Sequence, residues 1–383
     1  MASSAHKQQQ QLPNIYGAAT AAPPPTPSTL PNNHLSTSGA AADALSKLLH
    51  RLPPTLSLPT RRSPSATSPP LASLSDPNLI GRLQSSFSQL GYFQLTNHDI
   101  SSQLARSAES ESLGLFELEK DKKDAYFPKN WPLGFEADDE EDEEGNGESF
   151  CLDSTCSTES TELSLASLRE LIGAMEKVGL KIIEMLSTAV GFENPLGKDP
   201  AQFCSLMWIS QGLHGDKPVL SGGFYPYVVG LQYQIQHQKY SLLADSGRVV
   251  VLPQVDSILV TLGDIAQVWS NGKLKKVRGR PVACLGDGDY KDSRCVTMTL
   301  LVTPPAESRV SPLIPKATLT SSGTGQHEII EDDHIHGSLV TEEEEEEEEE
   351  ETLMFESFDF EDYAWRLYHE RLHLKDPLDR YRI

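Results

Sequence analysis

Residues 249–304 constrain the fold most, because short apolar segments alternate there with residues that favour turns. Segments 249–252 and 258–262 are rich in Val, Ile and Leu, which favours strands, and Gly263-Asp264 favours a turn. We expect a further strand at 265–269. Asn271-Gly272 is a strong signal for a two-residue hairpin.

The segment 295–302 has the alternation of a half-buried strand. Val296, Met298 and Leu300 fall on one face, and Thr297 and Thr299 fall on the other. Several short antiparallel strands at this spacing predict a β-sandwich or jelly roll.

Helical patterns flank this β region. Asp76-Pro77 precedes apolar residues spaced three and four apart that end at Gly91, and a second helix is expected over 101–119. Between them, 91–100 (GYFQLTNHDI) has the composition of a strand. Residues 163–191 predict a long amphipathic helix, and 355–383 predicts a final helix. The fold class expected is therefore α+β.

The net charge of −23 is concentrated in two places. Nine carboxylates lie within 136–148, and 342–351 is ten consecutive glutamates, so the rest of the chain is nearly neutral. Such dense runs repel themselves and stay solvated, and docking on a basic protein partner is the alternative. The sequence has no cluster of basic residues that would suggest nucleic-acid binding. Its longest apolar runs are well short of the length, about 18 residues, that spans a membrane.

Five cysteines without a CxxC pair, and no apolar signal sequence, favour a reducing intracellular location. We expect a cytoplasmic protein, with a plastid location as the alternative, since the Ser/Ala/Pro/Gln-rich start has the composition of some transit peptides.

Three segments resemble plant-type 2-oxoglutarate/Fe(II)-dependent dioxygenases, the superfamily of isopenicillin N synthase-like proteins. They are GYFQLTNHDI, LGDIAQVWSNGKLKKVRGRPV (262–282), and the last helix with its Leu-Asp-Arg tail. The resemblance covers about 74–130, 163–305 and 355–383. It implies a double-stranded β-helix (jelly-roll) core flanked by helices, and it implies that His98 has a structural or surface role rather than binding a metal.

The resemblance divides the chain into six segments. They are a disordered extension (1–73), a dioxygenase-like N-terminal region (74–135), an acidic linker (136–162), a jelly-roll domain with its scaffold helix (163–305), a disordered acidic insertion (306–354) and a C-terminal helix packed on the core (355–383).

In this superfamily a His-x-Asp pair and a distant His hold iron, and an Arg two residues before a Ser pairs with 2-oxoglutarate. The position of the distant His falls on Gly279 here, and the Arg and Ser positions fall on Cys295 and Thr297. Arg294 is adjacent, but one step along a strand points to the opposite face unless a bulge intervenes.

Two alignments compete for the His-x-Asp pair. Aligning by length places Tyr227 and Val229 there, whereas His214-Gly215-Asp216 has the right spelling but requires compensating gaps. We prefer the first, which leaves no metal ligand and no 2-oxoglutarate ligand at the family positions.

The sequence therefore predicts a catalytically degenerate homologue that keeps the fold and binds a small molecule or a protein, with no cofactor. One alternative is an active Fe(II)/2-oxoglutarate oxidoreductase that hydroxylates a small plant metabolite, with His214 and Asp216 as metal ligands. Another is an interaction scaffold that works through its acidic segments.

Overall fold

The strands and helices below belong to the residues that the computed structural model describes: 66–137, 147–160, 163–195, 203–211, 224–284, 296–313, 353–369 and 375–383. The strands are β1 (Leu71–Ser73), β2 (Tyr92–Thr96), β3 (Gly134–Ala137), β4 (Glu148–Asp153), β5 (Cys204–Gln211), β6 (Val229–Tyr233), β7 (Lys239–Ala244), β8 (Gly247–Val251), β9 (Ile258–Leu262), β10 (Val277–Cys284), β11 (Val296–Thr303), β12 (Arg309–Val310) and β13 (Phe358–Asp359). The helices are α1 (Leu79–Gln89), α2 (Ser102–Phe116), α3 (Lys120–Tyr126), α4 (Ala166–Val190), α5 (Asp264–Trp269) and α6 (Phe360–His369), and a 3-10 helix covers Pro377–Tyr381.

Two sheets form the core. The large sheet has the order β1-β2-β9-β6-β11-β5-β4-β3, and the small sheet has the order β10-β7-β8. Apart from the parallel pair β1-β2, the strand pairs of both sheets are antiparallel. Leu259 of the large sheet packs with Leu242, Val251 and Val277 of the small sheet, so the two sheets face each other across an apolar interior. The predicted jelly roll is confirmed.

Helix α4 covers the outer face of the large sheet. Its buried residues recur at three- and four-residue spacing, and Gly191 ends it with a left-handed φ of 86°. A Cβ at Gly179 would lie 2.8 Å from Val302 Cγ2 and 3.0 Å from Leu231 Cδ1, so only glycine allows this close approach. Val302 and Leu231 therefore face the helix, and the alternate residues of their strands face the interior. The predicted scaffold helix is confirmed.

The strand predicted at 265–269 is wrong, because these residues form helix α5. Gly263 precedes the helix, and every residue from Asp264 to Trp269 is buried. Such a short apolar segment has no readable period, so its pattern does not separate strand from helix. Asn271 and Gly272 do turn the chain, with φ of 49° and 81°, but the turn follows a helix and is not a hairpin.

Part of the segment predicted as an acidic linker is strand β4, which pairs with β5 and β3 in the large sheet. Phe150 anchors it, with edge-on ring contacts to Phe116 and Phe127 at 5.1 Å. Burial raises the pKa of the Cys151 and Cys156 thiols, which therefore stay protonated near neutral pH. The segments predicted as disordered at 1–73 and 306–354 include described strands, because Leu71–Ser73 form β1 and Arg309–Val310 form β12. Residues 1–65 and the glutamate run at 342–351 lie outside the described residues.

The C-terminal segment is held by a buried lysine. Lys276 is fully buried, and its Nζ lies 2.7 Å from Asp264 Oδ1 and 2.6 Å from Asp376 Oδ1. Asp376 also accepts a hydrogen bond from the Leu378 backbone N–H at the start of the 3-10 helix. These contacts tie the end of the chain to α5 and to the entry of β10. Among the described helices, none is long and apolar enough to cross a membrane.

His98 is a structural histidine, as its motif implied. The backbone N–H of Ile100 donates to Nδ1 at 3.2 Å, so Nε2 carries the proton and donates to the Asp256 carbonyl oxygen at 3.1 Å. Burial lowers the pKa of His98, although the Asp256 carbonyl and the nearby carboxylates of Asp99 and Asp256 oppose that shift.

This pKa shift predicts a pH-dependent stability. Because the folded pKa lies below the unfolded value of 6.5, the unfolded chain binds protons first as the pH falls through that value. We therefore expect a lower free energy of unfolding at pH 5.5 than at pH 7.5, measured by urea denaturation. In His98→Gln this difference should shrink, and an unchanged difference would contradict the assignment.

Candidate functional site at the barrel mouth

Tyr227 closes the seam between the two sheets. Its ring is buried, and its hydroxyl lies 2.9 Å from the Val277 carbonyl oxygen, 3.0 Å from the Gly279 carbonyl oxygen and 3.2 Å from Thr261 Oγ1. Burial raises the pKa of the phenol well above its ordinary range, so the hydroxyl stays neutral. Tyr227 therefore lies in the interior, where its hydroxyl has a structural role because it is hydrogen-bonded to the backbone of β10.

Val229 does not share the interior with Tyr227. It begins β6 on the same face as Leu231, which contacts α4 at Gly179. The length-based alignment put both residues in the ligand pair, yet only Tyr227 faces the barrel. Phe224 and Tyr225, just before Tyr227, are the residues of this segment that lie against the site, and the alignment did not single them out.

Gly279 lies on β10 with a φ of 67°, next to an irregularity in the pairing with β7 between Arg278 and Val282. A Cβ at Gly279 would lie 2.6 Å from Phe224 Cε1, which is closer than real Cβ contacts allow. The Phe224 ring thus fills the space that a side chain at 279 would need. At the position that the resemblance assigns to the distant His, the space for a side chain is occupied by the Phe224 ring.

Thr297 lies on β11 opposite Ser210 of β5, and its hydroxyl donates to the Ser210 carbonyl oxygen at 3.3 Å. Its hydroxyl is thus bound to the backbone of the large sheet. Cys295, Arg294, His214 and Asp216 lie outside the described residues.

Arg280 reaches across the interior to Trp208, although it was not among the candidate residues. Its guanidinium carbon lies 4.3 Å from the centre of the Trp208 ring, and one N–H donates to Ser210 Oγ at 3.4 Å. This is a cation–π contact between the small and the large sheet. Burial lowers the pKa of Arg280 to about 10, against the opposing effect of Cys151, Glu136 and Tyr368, so the group is still charged at neutral pH.

Aromatic rings surround the Arg280–Trp208 pair. Tyr225 lies 6.3 Å from Trp208 and 5.7 Å from Trp131, and Trp131 lies 6.0 Å from Tyr368, measured between ring centroids. Rings at these separations pack with each other and exclude water. The rings of Trp131, Trp208, Tyr225 and Tyr368 therefore form an apolar wall, and the guanidinium of Arg280 lies against it.

Glu136 closes one side of this wall. The Tyr368 hydroxyl donates to Glu136 Oε1, and Lys129 Nζ lies 3.1 Å from the same oxygen. Between these groups, Cys151 and Trp208 lies a cavity of about 10 Å³, enough for one water-sized group.

Among the buried donors that have no hydrogen-bond partner within the described residues, two belong to strands β5 and β6 of the large sheet. They are Trp208 Nε1, in a side chain 2% exposed, and Gln232 Nε2, in a side chain 1% exposed. Thr299 donates to the other end of the Gln232 amide, and Thr299 pairs with both Gln232 and Trp208 across neighbouring strands. Buried donors of this kind usually meet a water or a ligand.

The residues that the length-based alignment assigns to the ligand positions do not fit Fe(II) with 2-oxoglutarate. That centre requires two imidazoles and a carboxylate directed at one point, whereas Tyr227, Val229 and Gly279 provide a phenol, an alkyl group and no side chain. Across the described ranges, no group of three or more His, Cys, Asp or Glu side chains is placed to hold a metal ion.

The sequence predicted positions for the family ligands, but it did not predict the Arg280–Trp208 pair or the Phe224 ring beside Gly279. Arg280 directly follows Gly279, so it lies inside the segment that carries the resemblance. Its partner Trp208 lies far away in the sequence and meets it only because β5 and β10 face each other. The aromatic string FYPY at 224–227 was the available signal for a filled interior.

Comparison with known proteins agrees with this fold. Residues 65–164 match the family described as the N-terminal region of the non-haem dioxygenase in morphine synthesis. Gibberellin 2-beta-dioxygenase 2 of Arabidopsis thaliana is 23% identical over 64% of this chain and 76% of its own length.

Solved structures show the same fold at low identity. JOX2 in complex with 2OG, Fe and JA superposes with a TM-score of 0.62 at 16% identity, over 88% of this chain and 97% of that one. The rice dioxygenase for auxin oxidation superposes with a TM-score of 0.58 at 14% identity, over 82% of this chain and 100% of that one. The matched N-terminal region and the gibberellin dioxygenase relative thus make this chain similar to non-haem dioxygenases, and the solved structures show that it shares their jelly-roll fold.

Proposed function

We propose that this chain is a catalytically degenerate member of the 2-oxoglutarate/Fe(II) dioxygenase superfamily, which keeps the jelly roll and uses it for binding, without iron or 2-oxoglutarate. The observation that carries the proposal is the contact between Gly279 and Phe224. A ligand side chain at 279 would need the space that the Phe224 ring fills, and the left-handed backbone there disfavours any residue with a Cβ.

The other interior positions support the same proposal. The Tyr227 hydroxyl is hydrogen-bonded to the backbone of β10, and the Thr297 hydroxyl is hydrogen-bonded to the backbone of β5. An iron centre of this class holds open positions for 2-oxoglutarate and dioxygen. Here the rings of Trp131, Trp208 and Tyr225 pack together beside Arg280 in the interior.

We expect no stoichiometric Fe(II) uptake by the purified full-length protein in anaerobic equilibrium dialysis. With Fe(II), ascorbate and air supplied, succinate formed from 2-oxoglutarate should not exceed the protein-free background. JOX2, whose structure contains Fe and 2OG, is the positive control for both measurements. The physical reason is the missing imidazoles and carboxylate at the described family positions.

The competing hypothesis is an active oxidoreductase with His214 and Asp216 as ligands. Tight Fe(II) binding by the natural chain that is lost in His214→Ala would establish that enzyme and refute the degenerate one. Matched substitution of the structural His98 by Gln should leave any such binding unchanged, since His98 is committed to Ile100 and Asp256.

A further inference from the structure

We propose that the outer face of the small sheet is a docking surface for the glutamate run at 342–351 of the same chain. This surface, the basic face, consists of Lys239, Leu243, Arg248, Val250, Arg278 and Val282. It points away from the interior between the two sheets. The proposal therefore does not depend on whether that interior binds iron.

Strand alternation decides which side chains of the small sheet point outward. Leu242, Val251 and Val277 pack in the interior. The residues next to them in the sequence therefore lie on the opposite face of the sheet. None of the three apolar side chains on that face is fully buried, since Leu243, Val250 and Val282 are all half-buried. The fold thus leaves apolar surface on the outside of this sheet.

Arginines flank Leu243 on both sides of this face. Leu243 of β7 pairs with Arg278 of β10 and with Arg248 of β8. The next row on the same face has Val282 and Val250 on the two outer strands. Neighbouring strands lie about 4.8 Å apart, so the two arginines stand about 10 Å apart with an apolar side chain between them. The basic face therefore combines apolar contact area with cations on either side.

Positive charge predominates on the basic face. Lys239 and Arg248 are exposed, and neither forms an ion pair with any described residue. Arg278 donates to the carbonyl oxygen of Lys375 at 2.8 Å. In the three strands and the turn between β7 and β8, Asp245 is the one acidic residue, and it already accepts hydrogen bonds from other parts of the fold. An acidic segment is therefore the complementary partner.

The glutamate run is tethered within reach of the basic face. Met354, three positions after the run, accepts a hydrogen bond from the Ile383 N–H at 3.1 Å. From Ile383 the chain leads back to Lys375, beside Arg278, over a path that cannot exceed about 28 Å. The segment 342–354 spans up to about 40 Å when extended, so it covers that distance.

Tethering favours this run over an independent partner. Exposed ion pairs are individually weak. A segment of the same chain, however, has an effective concentration in the range of about 1 mM, which makes weak contacts populated. Adjacent glutamates can also meet Arg248 and Arg278 in many registers. A nucleic acid or an anionic membrane would instead be repelled by a chain with a net charge of −23.

The test is cross-linking of the full-length monomer with a water-soluble carbodiimide, which joins a lysine amine to a carboxylate that touches it. At about 20 mM NaCl, mass spectrometry should find Lys239 joined to the glutamate run, with a yield about fivefold lower at about 0.5 M because salt screens exposed charges. Lys177 on α4 is the matched control lysine. It is equally exposed and lies outside the basic face, so it should not be joined to the run.

Arg248→Glu should lower the yield of the Lys239 cross-link several-fold, whereas Lys181→Glu on α4 should leave it unchanged. A Lys239 cross-link that is absent, or that is insensitive to salt and to Arg248→Glu, would overturn the proposal. Cross-linking a mixture of nitrogen-15-labelled and unlabelled chains identifies the source of the glutamates. Products that join a labelled to an unlabelled peptide would assign the contact to a second copy and would also overturn it.

A second measurement leaves the basic face itself unchanged, in case Arg248→Glu does not give the circular dichroism of the natural protein. Replacing the ten glutamates at 342–351 by glutamine keeps the length of the segment and removes its charge. In carbon-13 methyl NMR, the signals of Leu243, Val250 and Val282 should then shift, while that of Leu171, buried under α4, should not. Identical signals from the face in both proteins would refute the docking.

Discussion

Replacing Lys276 by methionine is expected to lower the free energy of unfolding by about 3–5 kcal/mol, the usual effect of removing one partner of a buried ion pair. Lys276 is fully buried between Asp264 and Asp376, at 2.7 and 2.6 Å. Without the ammonium, the carboxylates of Asp264 and Asp376, whose side chains are only 8% and 19% exposed, face each other without a cation between them. Urea denaturation followed by circular dichroism measures the loss.

Lys275→Met is the matched control for this prediction. Lys275 is the exposed neighbour of Lys276 in the sequence, and its replacement should change the stability by less than about 0.5 kcal/mol. If Lys276→Met and Lys275→Met unfold at the same urea concentration, the three-membered ion pair does not hold the C-terminal segment.

Gly279→His is expected to destabilise the protein by about 2–4 kcal/mol and to bring no iron with it. The backbone at 279 has a φ of 67°, which penalises any Cβ, and the new side chain must displace the Phe224 ring. Placing at 279 the His that the resemblance implies is therefore expected to lower the free energy of unfolding without creating an iron site. Urea denaturation and anaerobic Fe(II) dialysis of the variant measure the two outcomes.

A double-mutant cycle separates the collision from the backbone strain. Gly279→Ala and Phe224→Ala should each destabilise, and the double variant should be more stable than the sum of the two, by about 0.5 kcal/mol or more. Strict additivity would show that Phe224 does not fill the space beside Gly279. Iron uptake by Gly279→His alone would contradict the assignment of this position as filled.

The long-range order of the fold was predictable where a pattern repeats. Helix α4 has many turns of apolar spacing and a terminal glycine, and β11 alternates over its whole length, so both were predicted within a few residues. Helix α5 is shorter than two turns and apolar on every side, so its period cannot be read. Strand β4 follows a dense acidic run, and its apolar residues Phe150 to Leu152 are too few to stand out from it.

For the candidate site, the sequence predicted only which metal and 2-oxoglutarate ligands are lacking at the assigned positions. The resemblance assigned Gly279 and Thr297 to ligand positions, and their residue types predicted that those ligands are lacking. What fills the interior depends on which side chains the two sheets bring together. Trp208 and Arg280 are 72 positions apart, and Phe224 and Gly279 are 55 apart, so local patterns carry no information on either contact.

The hydrogen bonds of the Tyr227 hydroxyl bear on which substitutions strand β10 tolerates. Its hydroxyl meets the carbonyl oxygens of Val277 and Gly279, which every amino acid carries. The seam of the barrel is thus fastened to main-chain atoms, so these hydrogen bonds do not depend on the identity of the side chains at 277 and 279. Substitutions in β10 leave them in place as long as the strand keeps its backbone path, which at 279 requires glycine.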